Sequence, residues 1–82
     1  MQFDNRAVGE VIRKLRVQKG MTQELLSGLA GIARSHLSMI ENGTKQPNFE
    51  TVWKLAVALD MKTSDLVKEI EKEIIKNERA AI

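Results

Sequence analysis

The stretch Thr22 to Gly43, TQELLSGLAGIARSHLSMIENG, constrains this chain more than any other. It reads as two short helices bent about a single glycine. Thr22 carries a hydroxyl able to accept from a free backbone N–H at a helix start, and the helix it opens runs through Leu26 to Ala30. Gly31 follows, and glycine takes the left-handed conformation that ends a helix without steric cost. A second helix is expected from about Arg34 to Asn42, stopping at Gly43. Leu26 and Ala30 are four apart and share one face, while Leu37 and Ile40 are three apart and share another. Once those two faces meet, Arg34, Ser35, Ser38 and Met39 are left pointing outward. That outward face is the candidate working surface.

The flanking segments supply the rest of a core. Asp4 is placed to cap a first helix, with Phe3 stapled against Val8. Val8, Val11, Ile12 and Leu15 recur at the spacing of an amphipathic helix, and Arg6, Arg13, Lys14 and Lys19 lie on its other face until Gly20 ends it. Pro47 disfavours helix at Gln46 and fixes a turn. Asn48 then caps a fourth helix through Leu59, with Val52, Leu55, Ala56 and Leu59 inward and Trp53 over an edge of the core. Thr63 is the expected cap of a fifth helix, which carries Leu66, Val67, Ile70 and Ile74 along one side and stays helical to about Asn77. Five helices, short connections and no convincing strand make an all-α architecture, one compact five-helix domain over residues 1–82.

Composition narrows the function. A chain of 82 residues without cysteine has no disulfide frame and no thiolate metal site. His36 is the one histidine, which makes a poor metal site alone. One histidine, no cysteine, no glycine-rich phosphate loop and little room for a pocket argue against an enzyme, so no catalytic residue, metal or cofactor is expected. No apolar run approaches the ~20 residues that span a bilayer, and no signal-peptide pattern is visible. A cytoplasmic protein is therefore expected, with no membrane partner and no second domain for a small-molecule effector. Residues 1–49 hold seven basic and four acidic side chains, against six and seven in 50–82. A basic front half is what a polyanion-binding surface needs, although so small an excess is also compatible with no such role.

The run Thr22-Gln23, Leu26, Gly31, Ser35, Leu37, Ser38, Ile40-Glu41, Asn42-Gly43 and Pro47 resembles the phage-repressor (Cro/repressor-type) helix-turn-helix family, with the likeness extending from Val8 to about Leu66. The resemblance implies a five-helix domain whose second helix lies across the DNA backbone and whose third enters the major groove. It implies base-reading roles for Arg34, Ser35, Ser38 and Met39. Chemically, Arg34 suits a bidentate pair with guanine, the serines discriminate weakly, and Met39 offers only apolar contact. A phosphate contact is the alternative for Arg34. Backbone-contact roles fall to Thr22, Gln23, His36, Asn42, Thr44 and Lys45. Arg16 and Glu41 match positions that form a largely buried ion pair in some relatives; the alternative is two exposed charges of little consequence.

Three features depart from the family pattern. Ala33 stands where serine or threonine usually caps the third helix, Gly28 lies inside the second, and Leu25 and Leu29 occupy outward positions that are usually polar. The leucines either pack on each other or form an apolar strip for a partner. One recognition helix reads too few base pairs for genomic selectivity, so a homodimer on double-stranded DNA is expected. Its interface is assigned to the C-terminal helix, residues 63–82, through Val67, Ile70, Ile74 and Ile75, with Ile82 adding apolar surface. The competing reading is a protein-interaction module, or an antitoxin-like partner-binding protein, that keeps the fold with little DNA binding.

Overall fold

The computed structural model describes residues 1–81, so Ile82 lies outside the described residues. Five helices follow one another: α1 (Asn5–Gln18), α2 (Gln23–Ala30), α3 (Arg34–Glu41), α4 (Phe49–Ala58) and α5 (Thr63–Ala80). Local signals set most of the ends. Asp4 accepts from the Arg6 N–H at 2.9 Å, Thr22 from the Leu25 N–H at 3.0 Å, and Asn48 from the Thr51 N–H at 2.8 Å. Gly31 sits at φ 72°. Its N–H donates to the Gly28 carbonyl and the Ile32 N–H to the Ser27 carbonyl, the paired bonds of a Schellman turn.

α1 packs against α3 and α5, α2 against α3 and α4, and α4 against α5. One core results, centred on Ile12, Leu26, Leu37, Ile40, Leu55 and Leu66, all fully buried. Truncating any of these leucines or isoleucines to alanine costs about 2–5 kcal/mol. α1 and α3 approach closely at Gly9. A Cβ on Gly9 would strike the Ile40 carbonyl oxygen and come within 2.6 Å of the Glu41 carbonyl oxygen. Glycine in mid-helix costs about 1 kcal/mol in propensity, and here it lets two backbones touch.

Several expectations are corrected. Trp53 does not cover the core: it is 54% exposed and meets Phe49 edge-to-face with centroids 6.2 Å apart. Phe3 also stays largely exposed, so it is no tight staple for buried Val8. Thr63 is the first residue of α5 rather than its cap, and Lys62 at the cap makes no side-chain hydrogen bond. α5 continues past Asn77 to Ala80, and Glu78 on that last stretch accepts from the Gln2 N–H at 3.2 Å. Ile70 and Ile74, assigned to a dimer seam, are 7% and 6% exposed and belong to the core. Val67 and Ile75 remain on the surface.

Candidate nucleic-acid interface

α3 presents the outward face expected of it. Leu37 and Ile40 are buried, which turns Arg34, Ser35 and Met39 to solvent and leaves Ser38 and His36 half-buried. Arg34 occupies the first turn, where a side chain extends beyond the helix end. Ala33 adopts the extended backbone of a cap but makes no side-chain cap bond.

The loop after α3 is wound onto the helix end. The Met39 carbonyl accepts from the Thr44 N–H at 3.0 Å and the Lys45 N–H at 3.3 Å, and from the Thr44 hydroxyl at 3.1 Å. Gly43 at φ 77° makes the reversal. Asn42, Thr44 and Lys45 therefore stand exposed on one rigid corner beside the α3 face.

Arg16 and Glu41 form the buried ion pair. Arg16 approaches side-on, with Nε 2.8 Å from Glu41 Oε2 and a terminal nitrogen 3.0 Å from Oε1. The other terminal nitrogen donates to the Met21 carbonyl at 2.9 Å. One side chain thus ties α1 to the α1–α2 turn and to α3. The Glu41 side chain is wholly buried. Burial alone would push its carboxyl upward; hydrogen bonds from Arg16 and then Gln23, with the Arg16 charge, outweigh that and hold it below the usual carboxylate range. The bond to Glu41 likewise raises Arg16 against the effect of its own burial.

Two contacts around this pair go beyond what the sequence indicates. Gln23, expected at a phosphate, donates from Nε2 to Glu41 Oε1 at 3.0 Å, so its amide is anchored at the start of α2 with one N–H unshared. Arg13, by sequence only part of a basic helix face, has Nε 3.5 Å from the same oxygen. The available signal is the α1 face itself: Gly9, Arg13 and Arg16 recur at helical spacing on one side, and a glycine within a helix marks close approach. Thr22, by contrast, has its hydroxyl engaged as the α2 cap. No group of three His, Cys, Asp or Glu suited to a metal occurs among the described residues. No helix among them is long and apolar enough to cross a membrane.

Comparison with known proteins gives a consistent picture. A helix-turn-helix family (HTH_3) matches residues 12–66. The uncharacterized HTH-type transcriptional regulator y4dJ of Sinorhizobium fredii is 37% identical over 60 residues, which cover 73% of this chain and 78% of the regulator. The cryptic phage CTXphi transcriptional repressor RstR of Vibrio cholerae is 35% identical over 63 residues; these cover 77% of this chain and only 57% of the repressor's length. Among solved structures, the tetramer of the restriction-modification controller protein C.Esp1396I in complex with its natural 35 base-pair operator matches with a TM-score of 0.82 at 28% identity, over 92% of this chain and 99% of that one.

Proposed function

The chain belongs to the Cro/repressor-type helix-turn-helix family of transcriptional regulators, and on that premise we propose that it is a sequence-specific double-stranded DNA-binding regulator that inserts α3 in the major groove as a homodimer. The observation that carries this reading is the α3 face: Arg34 exposed in the first turn, with Ser35, Ser38 and Met39 beside it. Arg34 is long enough for guanine O6 and N7, the serines supplement it, and Met39 suits a thymine methyl. Asn42, Thr44, Lys45 and Gln23 gather about the C-terminal end of α3, as phosphate contacts that set its register would. His36 is half-buried on α3 and is assigned a backbone-side role.

Two copies would place their α3 helices one turn of DNA apart, ~34 Å. With Ile70 and Ile74 spent on the core, the apolar surface that supports association is Val67 and Ile75 on α5, together with Phe49 and Trp53 on α4. Val67, Phe49 and Phe3 line one apolar groove of about 430 Å³. The C.Esp1396I controller assembles as a tetramer on its operator, which accords with a dimeric unit here. Regulation of transcription then follows from occupancy of a site, in the manner of a repressor or controller.

Titration against a duplex of preferred sequence tests the assignment. Arg34→Ala is expected to weaken binding by ~1–3 kcal/mol and relax selectivity at one base pair. Lys45→Ala is expected to weaken binding to all sequences alike and flatten the salt dependence. The outward leucines Leu25 and Leu29, 49% and 58% exposed, favour a second reading, a module that binds protein instead. Absence of binding to any duplex at low salt would decide for that reading.

A further inference from the structure

Glu41 gathers more donors than a structural pair needs. Its Oε1 accepts from Arg16 at 3.0 Å and Gln23 at 3.0 Å, with the Arg13 Nε at 3.5 Å. Arg13 and Gln23 therefore converge on one buried oxygen. Arg16 is nearly consumed: its side chain is 13% exposed, and both its terminal nitrogens and Nε are engaged. Arg13 is not. Its side chain is 54% exposed, and only Nε is engaged among the described residues. A guanidinium carries five N–H donors, so both terminal nitrogens of Arg13 remain available. Gln23 likewise has one amide N–H left after Glu41 takes the other. Two adjacent donor groups, one of them cationic, are thus held by a common anchor at the start of α2.

Two positive guanidinium groups near one carboxylate also leave the cluster with a net charge of +1. That excess sits next to the position already assigned to the DNA backbone. We propose that Arg13 is a further DNA-backbone contact, held by Glu41 so that it and Gln23 grip the same phosphate. This rests on the DNA-binding reading above. The bland role for Arg13 is a weak partner of Glu41 that only stabilises the α1–α3 contact, and the two roles differ in salt dependence.

The parent 82-residue chain, Arg13→Gln, Lys14→Gln and Gln23→Ala are titrated against the preferred duplex between about 50 and 200 mM salt, with a thermal melt of each. Lys14 lines the α1–α5 side of the domain with Glu69 and Lys72, so it serves as an equal-charge control. Removing one phosphate contact reduces the slope of log affinity against log salt by about 0.9. For Arg13→Gln this means the fall in affinity over that salt range is roughly threefold smaller per protomer than in the parent, while Lys14→Gln keeps the parent slope. A scan of single methylphosphonates through the half-site locates the phosphate: neutralising it weakens the parent more than it weakens Arg13→Gln or Gln23→Ala, each of which keeps only one of the two contacts. An Arg13→Gln slope equal to the parent's, with or without a lowered melting point, overturns the proposal, as does the absence of any such shared phosphate. If the parent itself binds no duplex, the DNA-binding reading fails first, and that outcome is distinct.

Discussion

Gly9→Ala adds a single methyl group where α1 and α3 lie backbone against backbone, and its effect can be worked from the structure. The new Cβ would strike the Ile40 carbonyl oxygen and stand 2.6 Å from the Glu41 carbonyl oxygen and 2.8 Å from the Glu41 carbonyl carbon. All three are backbone atoms of α3, so no side chain can swing aside. Relief requires α1 and α3 to part by roughly 1 Å to reach ordinary carbon contact distances. Overpacking of this kind costs about 1–3 kcal/mol. The same displacement stretches the Arg16–Glu41 bonds, now 2.8 and 3.0 Å, beyond good hydrogen-bond length, and full loss of a buried pair costs about 3–5 kcal/mol. Against this, alanine is favoured over glycine in a helix by about 1 kcal/mol. A net loss of about 2–4 kcal/mol is expected, a drop in melting temperature on the order of 10–20 °C for a domain of this size. Urea denaturation measures it directly, with an unchanged m-value showing that stability rather than compactness moved. Gly28→Ala is the internal control, since nothing lies within 4 Å of a Cβ built there. It is expected to stabilise by about 0.4–1 kcal/mol. If Gly9→Ala also stabilises, the α1–α3 contact is not what holds these helices.

Further outcomes follow from the same geometry. Ala33→Ser supplies the side-chain cap that α3 lacks and is expected to add about 1 kcal/mol of stability, read from the urea midpoint. The Glu41 carboxyl is held below its ordinary value by its donors, and the unfolded chain titrates near about 4.3. The pair's stability is therefore fully present above about pH 4.3 and lost as pH falls through the lower folded value. Carbon-detected NMR should show Glu41 titrating below that ordinary value, and a titration above it would contradict the pairing. Val67→Glu places a charge on the exposed α5 surface while leaving Ile70 and Ile74 in the core. Sedimentation at tens of micromolar is expected to show a dimer in the parent and a monomer in the variant, and a monomeric parent would refute the dimer.

What was legible in the sequence was mostly local. Asp4, Thr22, Gly31 and Asn48 set helix ends through bonds within a few residues, and each acts as its chemistry indicates. The outward face of α3 follows from Leu37 and Ile40 facing inward. The Arg16–Glu41 pair came from family resemblance and is present. The errors concern partners distant in sequence. Trp53 lies beside the inward stripe of α4 and Ile70 on the apolar side of α5, and only the packing of these helices on their neighbours shows that Trp53 is left 54% exposed while Ile70 is buried. By propensity alone Gly9 is a weakness in α1, and only α3 lying against it gives the missing side chain a use. Gln23 and Arg13 converge on Glu41 from different helices, a convergence that no spacing along the chain encodes. Even Thr63, a plausible cap by type, is displaced from that role because the backbone turns one residue earlier.

Selection of duplexes from a random pool by the 82-residue chain tests most directly whether the α3 face reads DNA as a paired unit. The account predicts enrichment of a two-fold symmetric site, with half-site centres about 10–10.5 base pairs apart or a multiple of that spacing. Guanine is expected at the position whose preference disappears in Arg34→Ala. A pool that emerges unenriched at low salt, or a preference that Arg34→Ala leaves intact, would contradict it.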